Sequence, residues 1–258
     1  GGHDGAMTDT GGIYNPSTDT WRAMNSFNAP SPRGNPSYVW TGSEMIVWAG
    51  QEHPNYYNDG ARYSTTTDTW APMTNINAPP GRNNTPAIWT GSEMIVWGGS
   101  EFTTPLDTGG RYNPATDSWT TTSTSNTPAA RGSHVAAWTG SEMIIWGGQS
   151  GTGPARKQED TGGRYNPTTD SWTATNLTGA PQGRSTFDGT WTGIELIVWG
   201  GYTGAAPAWT NTGGRYNPTT NAWIATTTTN APEARQSARC IWTGFEMLIW
   251  GGHSGTSH

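Results

Sequence analysis

Cysteine is almost missing from this chain of 258 residues, where Cys240 stands alone. A single thiol excludes an internal disulfide framework and a zinc site built from several thiolates. Charge is scarce as well. Only 12% of the residues are Asp, Glu, Lys or Arg, the net charge is -6, and no run of Lys or Arg occurs. The chain therefore lacks the cationic footprint that nucleic acid or an anionic membrane surface requires. No apolar stretch reaches the roughly 18 to 20 residues of a membrane helix, and no charged-then-apolar leader opens the sequence. Neither nucleic acid nor membrane insertion is expected. A Gly-rich phosphate loop, a zinc-ligand spacing and a Gly-x-Ser-x-Gly elbow are also missing. The histidines at 3, 53, 134, 253 and 258 form no spaced ligand set. The residues thus give no catalytic constellation, no metal site and no cofactor.

What the chain has in quantity is glycine, 36 residues, with much Thr, Asn and Pro, a composition of short strands and turns rather than long helices. An all-β protein is expected. The segment WTGSEMIVW at residues 40–48 returns at 89–97, as WTGSEMIIW at 138–146, as WTGIELIVW at 191–199 and as WTGFEMLIW at 242–250. Its opening Trp recurs at steps of 49, 49, 53 and 51 residues. A second block, typified by GGRYNPATDSW, keeps the same phase through Tyr14, Tyr63, Tyr112, Tyr165 and Tyr216, each followed seven residues later by Trp. Arg33, Arg82, Arg131, Arg184 and Arg235 form a third landmark, each three residues after a Pro and seven before a first Trp. Three landmarks on one period define a repeat.

Each unit reads as four short strands. Gly42-Ser43 makes a two-residue hairpin loop in which Gly supplies the positive φ of a type II′ turn, so Trp40 pairs with Met45 and Val39 with Ile46. The second strand is apolar on both faces and must be covered on both sides. A third strand lies around Arg111-Tyr112, and the turn formers of residues 113–117 hand over to a fourth at Trp119. A four-stranded unit with two apolar faces is covered by radial packing around an axis.

The apolar strand ending in Gly-Gly, then Tyr, then Trp seven residues on, with Pro-x-x-Arg ahead of the first strand, resembles the kelch repeat over essentially the whole chain. The resemblance implies a single β-propeller domain over residues 1–258, of the galactose-oxidase-like superfamily but without its copper-oxidase residues. The chain opens on a third and fourth strand and ends on a first and second. Five blades are therefore expected, one closed by a two-plus-two arrangement of N-terminal and C-terminal strands. Gly1-Gly2-His3 and Gly251-Gly252-His253 share one phase, an overlap that cutting five units from a longer array would also produce.

Residues repeated in every blade answer a need that every blade has. The Glu series 44, 93, 142, 195 and 246 is read as structural, pairing or accepting a hydrogen bond near the turn. The five Arg residues carry two compatible readings: forks bridging backbone carbonyls, or a cationic collar at the loop-bearing mouth of the channel. Asp9, Asn58, Asp107, Asp160 and Asn211, five residues before each Tyr, are read as turn caps rather than calcium ligands. Asp188 and Arg239 are expected to pair, and Cys240 to be a small core residue.

The loops between second and third strands are where the copies disagree. They hold His53, Tyr56, Tyr57, Phe102, Lys157, Gln158, Glu159, Tyr202 and Trp209. With the five Arg residues, the His and aromatics among these are the candidate binding surface. The expectation is a non-catalytic interaction module with a protein partner, in an extracellular or cell-surface setting. Two alternatives stand beside it. One is a lectin-like propeller stacking sugars on Tyr56, Tyr57, Tyr202 and Trp209, and the other an excised or engineered propeller without independent function. Oligomeric state is left open.

Overall fold

The inner hairpin forms where the repeated nonapeptide puts it. In the computed structural model, which describes residues 2–3, 7–204 and 208–254, Trp40 pairs with Met45 and Val39 with Ile46. Gly42 takes a φ of 101° with open space where a Cβ would stand. Backbone conformation, not crowding, therefore demands glycine here. Thr41 closes the turn: its N–H donates to the Glu44 carbonyl and its Oγ1 accepts from the Glu44 N–H, both at 2.9 Å.

Four such hairpins each acquire a third and fourth strand, giving four antiparallel four-stranded sheets. Blade I comprises Ser37–Trp40, Glu44–Trp48, Gly60–Ser64 and Thr69–Pro72. Blade II comprises Ala87–Trp89, Met94–Trp97, Gly109–Asn113 and Ser118–Thr121. Blade III holds Val135–Trp138, Met143–Trp146, Gly162–Asn166 and Ser171–Ala174. Blade IV holds Asp188–Trp191, Leu196–Trp199, Gly213–Asn217 and Ala222–Ala225. The chain groups into two compact units: Gly1–Phe102 with Gly109–Thr121, and Thr103–Thr108 with Thr122–His258. Blades I and II lie in the first unit, III and IV in the second.

Burial follows the sequence pattern. All four residues of the second strand are buried in blades II, III and IV, as a strand covered on both faces requires. In the first unit Trp48 packs on Trp119 at 5.0 Å, among Met73, Met94 and Val96. In the second unit Trp146 packs on Trp223 at 5.0 Å, among Leu196 and Val198. Each indole comes from one blade and each partner from the next, so these contacts join neighbours rather than fill a blade. The repeated Pro also finds its reason. A Cβ on Gly110 would stand 2.7 Å from Pro79 Cγ, and Gly163 and Gly214 face Pro128 and Pro181 equally closely. The second glycine of each Gly-Gly-Arg-Tyr thus leaves room for a rigid ring.

The third-strand Tyr adds a second link between blades. Tyr112 Oη donates to Asp117 Oδ1 at 2.7 Å, and the same carboxylate oxygen accepts the Thr74 N–H of blade I at 3.1 Å. Tyr165, Asp170 and Ser123 repeat the arrangement, as do Tyr216, Asn221 and Asn176. The acceptor sits in the left-handed region, with φ 46° at Asp117 and 50° at Asn221, a conformation that Asp and Asn tolerate better than most residues.

The third and fourth strands expected in the fifth blade lie in the first unit, and its first and second strands in the second. Gly12–Asn15 pairs with Thr20–Ala23 as one two-stranded sheet, and Arg239–Trp242 with Met247–Trp250 as another. The four complete blades share two physical features. A short covalent loop joins second to third strand in each of them, which keeps the entropy of closure small. Each also sets a third-strand Arg beside the second-strand Glu: Arg62–Glu44 at 3.5 Å, Arg111–Glu93 at 3.9 Å, Arg164–Glu142 at 3.6 Å and Arg215–Glu195 at 3.4 Å. The N-terminal pair has Ile13 at that position.

Burial, with the hydrogen bond to Asp117, pushes the Tyr112 hydroxyl well above its ordinary value, and burial pushes Tyr216 up to about 12. A folded-state value above the unfolded one stabilises the fold below about pH 10 and ceases to as pH rises further. Urea titrations between pH 9 and 11 are expected to show unfolding free energy falling with pH. Tyr112→Phe should flatten that slope and lower stability at pH 7 by about 1 kcal/mol.

Candidate binding face

The Arg of each Pro-x-x-Arg is a clamp. Arg131 donates Nε to the Ala129 carbonyl at 2.9 Å, Nη1 to the carbonyls of Gly147 at 3.0 Å and Thr161 at 2.7 Å, and Nη2 to Thr161 Oγ1 at 2.7 Å. Arg184 repeats this on Gln182, Gly200 and Thr212. Arg33 bridges Ser31, Ala49 and Asp59, while Arg82 reaches Pro80 and Gly98. One planar fork thereby ties the linker before the first strand to the end of the second strand. Burial lowers Arg82, Arg131 and Arg184 to about 10, still far enough above neutrality to keep them charged.

An accessible cationic collar is therefore not what these residues form. Arg82, Arg131 and Arg184 are fully buried and Arg33 is nearly so, which leaves no guanidinium edge for a ligand. Arg235, next to the C-terminal pair, is half-buried, and its guanidinium donates to the carbonyls of Glu233 and Gly251. Of the two readings, the structural one describes the first four.

Four of the five Glu, at 44, 93, 142 and 195, find their partner inside the blade, in the third-strand Arg. Arg62 Nη1 also donates to the Pro114 carbonyl of the next blade at 2.7 Å, and Arg164 to Pro218 at 2.6 Å. Sequence reasoning passed over these arginines, although Gly-Gly-Arg-Tyr carried the signal. At the Asn58 and Asp160 positions the backbone carbonyl is what is used. It accepts the indole N–H of Trp48 at 3.0 Å and of Trp146 at 3.1 Å. Asp188 does not pair with Arg239. Its Oδ2 accepts the Cys240 N–H at 3.0 Å, and burial with the neighbouring Asp188 charge pushes the Cys240 thiol up to about 12.

The loop residues form separate clusters. In the first unit Gln51–Glu52 pairs with Asn55–Tyr56, and the Tyr56 ring lies 4.7 Å from Phe102, itself 55% exposed. Tyr57 turns inward: Arg33 stands 4.3 Å over its ring and its hydroxyl donates to Glu52 at 3.3 Å. His53 is exposed on the same loop. In the second unit Tyr202 bridges Ser185 and Trp209, and Trp209 meets His253 edge to face at 5.6 Å. The third loop is organised by Glu159, which is buried and accepts from Ser150 at 2.5 Å, Thr161 at 3.0 Å and Lys157 at 3.2 Å. Burial alone would raise its carboxyl. The Ser150 bond, the Arg131 charge and the other two bonds outweigh this and hold it below the ordinary value. Among the described residues no three His, Cys, Asp or Glu side chains converge as a metal-ligand set.

These loops also carry all the variation in repeat length. From the second-strand Trp to the third-strand Tyr the chain runs 15 residues in blades I and II, 19 in III and 17 in IV, whereas each fourth-strand Trp precedes the next first-strand Trp by 19. The extra length in blade III holds the short 3-10 turn Gly153–Ala155.

Residues 1–190 match the family model described as the KLHDC2/KLHL20/DRC7 Kelch-repeats domain. The chain belongs to the kelch-repeat family. No curated relative matches it. Kelch-repeat domains are in general protein-interaction modules and typically non-enzymatic, which accords with a kelch blade whose repeated charges are spent on its own backbone.

Arg131→Ala is expected to lower stability by about 3 kcal/mol, since it leaves the Gly147 and Thr161 carbonyls unmatched and Glu159 without its guanidinium. Arg131→Lys should recover only part of this, because an ammonium cannot reproduce the fork. Chemical denaturation of the three proteins measures both. Cys240 should react slowly with iodoacetamide at pH 8 in the folded protein and rapidly in urea, as mass spectrometry of timed samples would show.

Proposed function

We propose that this kelch chain is a non-catalytic binding module that presents its second-to-third-strand loops to a protein partner in an extracellular or surface setting. The observation that supports it most directly is the exposed Phe102 seated on Tyr56. An aromatic pair held on a paired loop offers contact area at little cost in conformational entropy. Three further points agree with this reading. The family is one of protein-interaction modules, the loops alone vary in length, and the clamped Arg residues make the scaffold beneath them rigid.

Comparative capture with wild-type protein, the Tyr56→Ala/Phe102→Ala double variant and Glu93→Gln at the opposite end of blade II tests the proposal. A partner retained by wild type and Glu93→Gln and lost by the double variant, at unchanged melting temperature, is the expected result. Equal capture by all three would refute it. Binding to immobilised glycans that depends on Tyr202 and Trp209 would favour the carbohydrate reading instead.

A further inference from the structure

Five residues after its second-strand Trp, blade II carries Phe102, where blades III and IV carry Gly151 and Gly204. All three take a left-handed φ, 52° at Phe102, 70° at Gly151 and 78° at Gly204. Glycine adopts that conformation freely and a bulky side chain only at a cost. The turn alone would be served better by the residue that its counterparts use. What the phenylalanine adds is its ring, which lies on Tyr56 and stays 55% exposed, so packing within the fold uses only part of it.

The charge around that ring is of one sign. Residues 51–59 and 100–102 include Glu52, Asp59 and Glu101 and no Lys or Arg. Asp59 is matched by Arg33 at 2.9 Å. Glu52 and Glu101 are exposed and stand outside the ion pairs of the described residues. The guanidiniums that reach these loops are closed to a ligand: Arg33 stands over Tyr57 and Arg82 lies within electrostatic reach of Glu101, and both are buried. At the joint of the two loops Asn83 bridges to Ser100 and donates Nδ2 to Gln51 Oε1 at 2.7 Å, while its buried Oδ1 has no hydrogen-bond donor among the described residues. An aromatic face bordered by unmatched carboxylates attracts a positively charged group and repels a negative one.

We propose that the partner meets this site through a basic segment, with an Arg side chain stacked on Phe102 and its charge shared with Glu101 and Glu52. The proposal rests on the reading of the loops as a protein-binding face and adds the chemistry of what binds there. Arg suits the site because its planar guanidinium stacks on an aromatic ring while its edges donate to carboxylates. Complementary charge also speeds encounter and makes it sensitive to salt.

Fluorescence anisotropy with a labelled arginine-rich octapeptide, and with a copy in which citrulline replaces every Arg, tests this. Wild-type protein is expected to bind the first and not the second, with affinity falling as NaCl rises from about 50 to about 300 mM. Glu101→Gln should weaken binding about fivefold, and Tyr56→Ala/Phe102→Ala about tenfold. Glu233→Gln removes the same charge from an exposed position elsewhere and should leave binding unchanged. Phe102→Gly separates the ring from the turn: it should weaken binding as the double variant does, with a melting temperature equal to or above that of wild type. Equal weakening by Glu101→Gln and Glu233→Gln, equal binding of the citrulline peptide, or no binding of the arginine peptide overturns the proposal. Capture of a partner tells which reading has failed. Retention that depends on Tyr56 and Phe102 but not on Glu101 keeps the loop face and removes only the basic segment, whereas retention independent of the aromatic pair removes the loop reading itself.

Discussion

An indole held between a tryptophan of the next blade and a buried guanidinium is the contact on which the rest of this molecule depends. A second strand apolar on both faces has no stable existence in an isolated sheet, so every blade needs a neighbour on each side. Trp48 and Trp146 meet that need by staying paired in their own sheets while their indoles complete the core of the following one. The guanidinium over the ring does more than cover it. With its donors spent on backbone carbonyls, it fixes the linker from which the next first strand starts, so side-chain packing and chain path are set by the same few atoms.

Much of this was legible because the chain says it several times. Gly42-Ser43 within a repeated apolar hairpin gives turn type and register, and the period gives the strand count of a blade. Other features were visible but not interpretable from residues alone. The Pro before each Arg becomes intelligible only once Gly110 is seen with no room for a Cβ beside Pro79. The five Arg residues were recognised as repeated, yet whether a fork points at a ligand or at a carbonyl depends on burial that spacing does not encode. Asp188 and Arg239 looked like an ion pair because they occupy equivalent positions, but a nearer backbone N–H takes the carboxylate.

Function sits apart from this repetition. Glu44, Arg62 and their counterparts neutralise one another inside each blade, and the Tyr–Asp pairs hold successive blades, so the repeated polar groups are occupied. What remains unspent lies on the loops, as Phe102 with Tyr56 in one unit and Trp209 with Tyr202 in the other. A kelch chain of this kind separates the residues that recur in every blade from those that differ between copies.

The unequal loops have a consequence for how such a protein changes over time. The stretch from fourth-strand Trp to first-strand Trp stays at 19 residues in every copy, because Pro, Arg and the indole contacts leave no slack in it. The stretch after the second strand gains or loses residues, as blade III shows with its extra turn, while the sheet beneath keeps its register. Insertions are thereby channelled to one place in each repeat, and new binding properties can be acquired by lengthening a loop without renegotiating the fold that carries it.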